Sequence, residues 1–464
     1  MKKSILLPLL LTCNFMAARG ETQSVQDRVA IGRAVQAVVW GMPAVNTDLM
    51  LQAALKAGAK ENEIVYWSRP VDWHNQTLTP NPDAIYFMPF FNTKQGPVVL
   101  EVPPAGQDGS ITGNIDDLWQ MPLEDAGPSG ADKGAGGKYL ILPPAWHGRI
   151  PAGYIVLRSP TYSGYALIRS TLRSHSDTDV AKAVAYGKRL KLYAFASTSS
   201  PTRFVDAADV LFDSTIPYDV RYFQSLDRIV QREPWLERDK VMIDQLKSIG
   251  IEKGKPFAPD ANSVEKLNEG AREAHEWIEH RSERAYPPYF PNTHWVVPAA
   301  SELVQDASKG YTAQNIYPVD ARAIVYSMGY VGIKRLGAGQ FYLMSWQDRN
   351  GDALDGGQRY RLTVPPNAPM RQYWSATAYS RATHALIKDL PRASRSSQAA
   401  DMEKNPDGSV DVYFGPESPA GHEKNWVPTR TGERFELLFR LYGPTQPLFD
   451  KTWALPDLVK ITAQ

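Results

Sequence analysis

Three acidic side chains are the first residues in this sequence that could carry chemistry. Asp116 and Asp117 precede Trp119, an aromatic residue that we expect to be exposed, and Asp83 follows Asn81 in a turn-forming run. Two carboxylates that flank a groove can act as general acid and base, or can bind one hard cation. We therefore predict Asp83, Asp116 and Asp117 as catalytic acids. The open alternative is that they only cap turns through local hydrogen bonds.

Four further side chains near these acids could hold a substrate. His74 is the histidine closest to them in sequence and is predicted as a catalytic or positioning group, although a structural hydrogen bond would also explain it. Asn81 is predicted to position the ligand, and Tyr86 and Trp119 to form its aromatic platform. Aromatic faces with a few fixed polar groups suit sugar rings and other flat ligands.

Other motifs exclude several cofactors. His275 and His280 are five residues apart, which places them about 140° apart around a helix, so they cannot share a metal. The sequence has no G-x-S-x-G motif, which argues against an ordinary α/β-hydrolase. It also has no Walker A loop and no G-x-G-x-x-G after a strand, the motifs that bind nucleotides. We expect no nucleotide or organic cofactor and predict no metal ligands by spacing. A divalent metal held by the acids above stays open.

Charge and cysteine content limit the partners. The 464 residues include 51 basic and 50 acidic side chains, a net charge of +1. This balance does not predict binding to nucleic acid or to anionic lipid. The single cysteine is Cys13, so a mature chain without it has no disulfide. A small-molecule or glycan ligand is the expected partner, and assembly into a homo-oligomer stays open.

The first twenty residues are typical of a secretory signal peptide. Lys2 and Lys3 precede an apolar run, and small residues lead to Gly20. This arrangement predicts cleavage near Gly20 and a periplasmic or secreted protein. A lipoprotein signal around Cys13 is the less favoured alternative. No later apolar run is long enough to predict a transmembrane segment.

The elements that must position these residues follow from hydrophobic spacing. Residues 25–60 have helical periodicity, as one helix or two broken near Pro43, whereas short β-type runs separated by turns fill most of the sequence from residue 63. We predict a mainly β fold with helical insertions, arranged as an antiparallel sandwich or barrel. The predicted organisation is an N-terminal helical segment (21–62), a first β domain (63–200), a helical connector (201–310) and a second β domain (311–464).

Several motifs resemble a bacterial family that pairs the domains of unknown function 1254 and 1214. The run Asn81-Pro82-Asp83 and its neighbours resemble part of the first domain. The run around Tyr442 resembles part of the second domain. The matching residues are 81–86, 96–103, 136–144, 254–257, 354–356, 373–379, 405–413, 425–429 and 440–444. The resemblance implies two β-sandwich, jelly-roll-like domains with helical insertions, usually in exported proteins. It implies no activity.

Three functions stay open at this point. The leading hypothesis is an enzyme that acts on a small organic or glycan substrate, either without a cofactor or with a metal. The second is a non-catalytic envelope protein that binds a carbohydrate or another small ligand, with Trp374, Tyr379 and Trp426 either contacting it or lying in the core. The third is an assembly or scaffolding protein.

Overall fold

The structure is a computed structural model that describes residues 23–197, 201–309, 311, 317–329, 332–335 and 339–461. These residues form a mainly β fold with about 27% helix and no barrel. Among them, no helix combines the length and apolar character that a membrane span requires. The predicted signal peptide and Cys13 lie outside the described residues.

The first β region consists of two main sheets and one short strand pair. Its strands are β1 (Glu63–Tyr66), β2 (Asn75–Gln76), β3 (Ile85–Asn92), β4 (Val98–Val102), β5 (Ile111–Asp117), β6 (Pro122–Ala126), β7 (Gly137–Leu142), β8 (Ile155–Arg158), β9 (Ser163–Ser170), β10 (Lys191–Ala194), β11 (Phe204–Asp206) and β12 (Phe212–Asp213). One sheet has the order β11-β1-β3-β9-β5-β6, the other has the order β10-β4-β7-β8, and β12 pairs with β2. Side chains of both main sheets and of α2 (Asp177–Gly187) pack into one core.

Not all strand pairs are antiparallel. The pairs β1/β11, β2/β12 and β7/β8 are parallel, so the expectation of a purely antiparallel arrangement is wrong. Parallel neighbours need a crossover of about a dozen residues or more, and the connection from β7 to β8, residues 143–154, is long enough to provide one. The jelly-roll connectivity stays a prediction.

The second β region also contains two sheets. Its strands are β13 (Gln340–Ser345), β14 (Arg359–Val364), β15 (Trp374–Ser380), β16 (Ser394–Ser396), β17 (Val410–Gly415), β18 (Trp426–Pro428), β19 (Phe435–Tyr442) and β20 (Val459–Ile461). The sheet orders are β13-β19-β15-β16 and β18-β17-β14-β20. Trp374 lies in the core that these sheets share. All eight residues of β19 are buried, which is typical of a strand that is covered on both faces.

The helices pack together although they are far apart in sequence. They are α1 (Val25–Lys56), α3 (Val220–Arg232), α4 (Lys240–Leu246), α5 (Ala261–Ser282), α6 (Ser301–Ser308), α7 (Val319–Met328) and the short α8 (Gln446–Phe449). Residues of α1, α3, α5 and α7 share one buried apolar cluster. The N-terminal helix is therefore a neighbour of the helices in the middle of the chain.

One continuous helix, α1, spans the region where the sequence left open a break. It begins at a capping box formed by Ser24 and Asp27, and it contains Pro43. Proline leaves one backbone hydrogen bond of a helix unmade. The carbonyl oxygen of Pro43 accepts hydrogen bonds from Thr47 Oγ1 (3.2 Å) and Gln120 Nε2 (3.0 Å). The helix residues on both sides of Pro43 are buried, so tertiary packing stabilises the helix at the proline.

A shared apolar cluster joins the two β regions. It includes Tyr86 and Met88 of β3 together with Met344 of β13, Tyr379 of β15 and Leu438 of β19. The C-terminal half of α1 contributes to the same cluster. The sheets that contain β3 and β19 therefore meet at a buried interface, and this interface contains the candidate site.

Candidate functional site

Each of the two sheets places an arginine directly across from a tyrosine. Tyr86 of β3 lies opposite Arg169 of β9, and Tyr342 of β13 lies opposite Arg440 of β19. Successive side chains of a strand point to opposite faces. All four side chains line one cavity of about 130 Å³ between the β regions.

The two arginines of this cavity are buried without a charged partner. Arg169 is 9% exposed and Arg440 is 1% exposed. The Nε atom of each has no hydrogen-bond partner within the described ranges. Neither arginine forms an ion pair with a described carboxylate, and the titratable neighbours that both share are Tyr86, Tyr342 and Tyr442. A buried charge that lacks a counterion is costly to the fold.

Arg440 is held in place by the second β region and by the turn before β3. Its Nη2 donates to the carbonyl oxygen of Thr79 (2.8 Å) and to the hydroxyl of Tyr379 (2.7 Å), and its Nη1 donates to Thr377 Oγ1 (3.1 Å). The guanidinium also lies 5.3 Å from the centre of the Tyr342 ring. These contacts fix the orientation of Arg440 before any ligand arrives.

Arg169 is held more loosely and lies between two cavities. Its guanidinium lies 5.5 Å from the centre of the Tyr86 ring. Besides the first cavity, it lines a neighbouring cavity of about 310 Å³, to which Asp83, Tyr373 and Tyr442 also contribute. An arginine in this position can contact a ligand from either side.

Phenol groups surround the arginines. The hydroxyls of Tyr342 and Tyr442 are 3.3 Å apart, and Asn81 Nδ2 donates to the hydroxyls of Tyr442 (2.8 Å) and Tyr373 (3.1 Å). Burial raises the pKa of Tyr373 and Tyr442 well above the ordinary value. Both phenols are therefore protonated at neutral pH and can donate hydrogen bonds.

The rest of the cavity wall is mostly apolar, and several of its polar groups are already hydrogen-bonded. Gln120 accepts from the Tyr165 hydroxyl (2.9 Å) and donates to Pro43, and Asn46 donates to the Tyr326 carbonyl oxygen (3.1 Å). Its apolar wall residues include Met50, Met88, Leu167, Val297, Val325, Met328, Phe341, Met344 and Leu438. Among the fully buried side-chain nitrogen and oxygen atoms of the described cavity residues, only the Nε atoms of the two arginines lack a hydrogen-bond partner.

Three of the predicted site residues come together beside this cavity. Asn81 bridges Tyr373 and Tyr442, and Tyr86 lines the cavity and accepts a hydrogen bond from the Asn81 amide (2.9 Å). The carboxylate of Asp83 lies 2.9 Å from Nε2 of His175. The turn that contains Asn81 and Asp83 therefore contacts both β regions.

Two predicted acids and one predicted aromatic residue lie in a different place. Asp116 and Asp117 are fully buried, and burial raises the pKa of both carboxyl groups. Trp119 is 4% exposed, and its ring centre lies 4.7 Å from that of Trp40. The expectation that Trp119 is exposed is wrong, because the helices around α1 cover it.

Among the residues that the structure describes, His74 has no hydrogen bond, ion pair or ring contact with the predicted residues beside the cavity, nor with the buried predicted acids and Trp119. Its Nδ1 lies 2.8 Å from the carboxylate of Asp72, and its ring stacks on Trp73 with ring centres 3.8 Å apart. Within the described residues, no group of three or more histidine, cysteine, aspartate or glutamate side chains is placed to hold a metal ion.

Sequence reasoning missed the residues that define the cavity. Arg169 follows Ala166-Leu167-Ile168, and Arg440 lies between Phe439 and Leu441. A charged residue inside a mostly apolar, buried strand is an unusual pattern; this signal could have identified both arginines, and it also marks Glu436 in the strand of Arg440. Their partnership depends on how two distant sheets pack, which no local motif encodes.

Comparison with known proteins supports the family resemblance. The family described as "Protein of unknown function (DUF1254)" matches residues 61–194, and "Protein of unknown function (DUF1214)" matches residues 339–446. No curated protein matches the chain.

One solved structure supports the fold, and a second is less similar. The crystal structure of the VPA0106 protein from Vibrio parahaemolyticus is similar, with a TM-score of 0.57 and 18% identity, over 93% of this chain and 100% of that one. A putative uncharacterized protein from Burkholderia cenocepacia has a TM-score of 0.43 and 11% identity, over 94% of this chain and 96% of that one. The chain therefore belongs to the proteins in which a DUF1254 region precedes a DUF1214 region.

Proposed function

We propose that this protein binds a small organic acid with an apolar body in the cavity between its two β regions. One observation carries the proposal: Arg169 and Arg440 come from different sheets, line the same cavity and are buried without a described carboxylate partner. An anionic ligand would supply the missing counterion. Of the functions that the sequence left open, the proposal adopts the binding protein.

The arrangement of donors favours a carboxylate. Guanidinium groups present planar pairs of N–H donors that match carboxylate oxygens. Arg440 is already oriented by Thr79 and Tyr379, so little side-chain entropy is lost when it binds. The phenols of Tyr342 and Tyr442 stand beside it as further donors.

The apolar wall selects the body of the ligand. Methionine side chains at Met50, Met88, Met328 and Met344 adapt to ligands of different shapes. A sugar would place hydroxyls against a mostly apolar wall, where the amides of Gln120 and Asn46 are already bonded. An aliphatic or aromatic acid therefore fits the cavity better than a glycan.

The cavity supports binding rather than acid–base catalysis. Among the described residues, no aspartate, glutamate, histidine or lysine lines it. Asp116 and Asp117, which were predicted as catalytic acids, do not line it either. A ligand held there would meet guanidinium groups and phenol hydroxyls, which can donate hydrogen bonds to an anion.

Thermal unfolding with paired ligands tests the proposal. Octanoate and benzoate would be compared with octanol and benzyl alcohol, which have the same apolar bodies without the charge. A ligand at one hundred times its Kd stabilises the native state by about 2.7 kcal/mol. We expect the acids to raise Tm in the wild type and not in Arg169→Met.

A matched control is available on the surface. Arg158 is exposed at the end of β8, and Arg158→Met should keep the response to the acids. Equal stabilisation by acids and alcohols, or an undiminished response in Arg169→Met, would contradict the proposal.

We also propose that the protein acts in the periplasm or outside the cell. The support is the basic, apolar and small-residue order of residues 1–20. Mass spectrometry of the protein purified from cell envelopes should give an N-terminus near Glu21. A chain that still carries Met1 would contradict this location.

A further inference from the structure

A buried carboxylate holds a histidine at a separate cleft. Asp83 Oδ1 lies 2.9 Å from His175 Nε2; the Asp83 side chain is 2% exposed and that of His175 is 41% exposed. The second oxygen of Asp83 accepts a hydrogen bond from Ser394 Oγ (3.1 Å). Nδ1 of His175 has no partner in the described part of the chain. One ring nitrogen is thus fixed while the other is free to exchange a proton.

Two other aspartate–histidine pairs show what is particular to this one. In the pair His74–Asp72 the aspartate side chain is 42% exposed. In the pair His294–Asp457 the aspartate is buried, but its other oxygen accepts the backbone N–H of His294 itself (2.8 Å). Neither histidine lines the cleft at His175. The Asp83–His175 pair combines a buried carboxylate with a histidine that faces open space.

The cleft has a volume of about 560 Å³ and an arginine beside the histidine. Asp83, His175, Ser394 and Arg395 line it together with Trp73. Arg395 is 6% exposed; its Nη2 binds Asp401 (2.7 Å), while its Nε has no partner within the described ranges. The charge of Arg395 acts on His175. An anionic group bound at Arg395 would therefore lie close to the imidazole.

Water is the nucleophile that fits this cleft. The Ser394 hydroxyl donates to Asp83 and accepts from Thr377 Oγ1 (3.1 Å), so it is engaged on both sides. No cysteine lines the cleft in the described residues. A histidine oriented by a buried aspartate is the arrangement that removes a proton from a nucleophile.

We propose that Asp83 and His175 form a general-base pair that hydrolyses small carboxylic esters carrying a second, anionic group, which Arg395 binds. This site is independent of the acid-binding cavity. His175 Nδ1 takes a proton from water while the water oxygen bonds to the ester carbon and the carbonyl electron pair moves to oxygen. When the carbonyl reforms, the bond to the alcohol oxygen breaks, and this oxygen takes the proton from His175. The products are one carboxylic acid and one alcohol.

Two chromogenic esters test the proposal. Mono-4-nitrophenyl succinate carries a carboxylate, and 4-nitrophenyl acetate does not. We expect saturable hydrolysis of the succinate by the wild type. General-base catalysis contributes about 10²–10⁴-fold, so His175→Gln should lower kcat/KM by at least about 100-fold. Arg395→Gln should raise KM for the succinate more than for the acetate.

The pH profile separates a catalytic role from a structural one. The hydrogen bond that His175 donates to the Asp83 carboxylate raises the pKa of His175 above its ordinary value, so the rate should rise with pH through that pKa. In Asp83→Asn the inflection should move to lower pH, and the remaining rate should be well below that of the wild type.

Controls make each outcome decisive. His294→Gln breaks a comparable pair away from the cleft and should keep full activity, and the surface variant Arg158→Met should keep it too. The glutamine side chain of His175→Gln keeps an N–H that can donate to Asp83, so the variant should stay folded at the assay temperature, which its thermal unfolding curve checks. The absence of saturable hydrolysis by the wild type, or equal rates for wild type and His175→Gln, would overturn the proposal.

Discussion

Two buried arginine clusters lie along the same strand, and only one of them is neutralised. Near the start of β19, Glu436 faces Arg381 (3.4 Å) and His384 (2.7 Å), and Glu279 of α5 also contacts both (2.7 and 3.3 Å). Four residues further along, Arg440 has only neutral hydrogen-bond partners. The fold can therefore pair a buried arginine at this interface, yet it leaves Arg440 and Arg169 unpaired.

The difference separates a structural cluster from a binding site. The paired cluster joins α5 to the second β region through charges that satisfy one another. The unpaired arginines line a cavity, where the missing charge can come from a ligand. Removing one partner of a buried ion pair is strongly destabilising, whereas removing an unpaired buried charge is not. Substitutions in the two groups test whether the paired cluster stabilises the fold and the unpaired arginines do not.

Breaking the paired cluster should cost the most stability. Glu436→Gln leaves Arg381 and His384 with one carboxylate fewer in a site that is fully buried at Glu436. We expect a loss of about 3–5 kcal/mol in the free energy of unfolding, measured by urea denaturation. Glu417→Gln, which removes an exposed partner of Arg359, should cost no more than about 1 kcal/mol. Similar losses in both variants would contradict the assignment.

The paired cluster should also make stability depend on pH. Burial lowers the pKa of His384, but the charge of Glu436 and hydrogen bonds to Glu279 and Glu436 raise it from 6.5 to about 9. Because the folded pKa is above the unfolded one, this stabilisation is complete below pH 6.5 and is lost as pH rises through 9. The difference between the two pKa values corresponds to about 3 kcal/mol. Urea midpoints should fall over this range in the wild type and fall less in His384→Gln. His175 titrates in both proteins, so the difference between their two pH profiles isolates the contribution of His384.

Replacing the two unpaired arginines should change the stability of the protein by different amounts. Arg440→Met loses the bonds to Thr79, Thr377 and Tyr379 and should destabilise the protein by about 1–3 kcal/mol. Arg169→Met loses few contacts and removes a buried charge, so its unfolding free energy should equal or exceed that of the wild type. Chemical denaturation of both variants without ligand measures the difference. A large loss in Arg169→Met would show that Arg169 is structural.

A smaller effect is expected at an acid that the sequence suggested as catalytic. Both carboxylate oxygens of Asp116 lack hydrogen-bond partners among the described residues, and burial followed by the charge of Asp117 raises its pKa. Its ionisation therefore opposes folding at neutral pH. Asp116→Asn should stabilise the protein by about 1 kcal/mol at pH 8. Asp125→Asn should not stabilise the protein, because the wild-type carboxylate of Asp125 accepts a hydrogen bond from Asn114. A destabilised Asp116→Asn protein would contradict this interpretation.

Local patterns in the sequence predicted part of this picture. Turn residues around Asn81 and Asp83 indicated a turn before a strand, and Tyr86 lies in that strand beside the cavity. The catalytic role predicted for Asp116 and Asp117 stays a prediction: they are adjacent in a strand, so their side chains point to opposite faces, and neither lines the cavity.

Longer-range features could not be predicted in the same way. Arg169 and Arg440 are far apart in sequence and meet only because two sheets pack face to face. His175, rather than His74, contacts Asp83 because the loop before α2 folds back over the turn. Hydrophobic periodicity fixes the face of a strand, but it does not say which other sheet that face meets.

Calorimetric titration of octanoate into the wild type and into Arg169→Met tests the central claim most directly. The account predicts saturable binding by the wild type, no heat with octanol, and at least about tenfold weaker binding by the variant, a difference of about 1.4 kcal/mol. The variant should remain as stable as the wild type without ligand. Equal affinity of both proteins for octanoate would contradict the claim that the unpaired arginines form an acid-binding site.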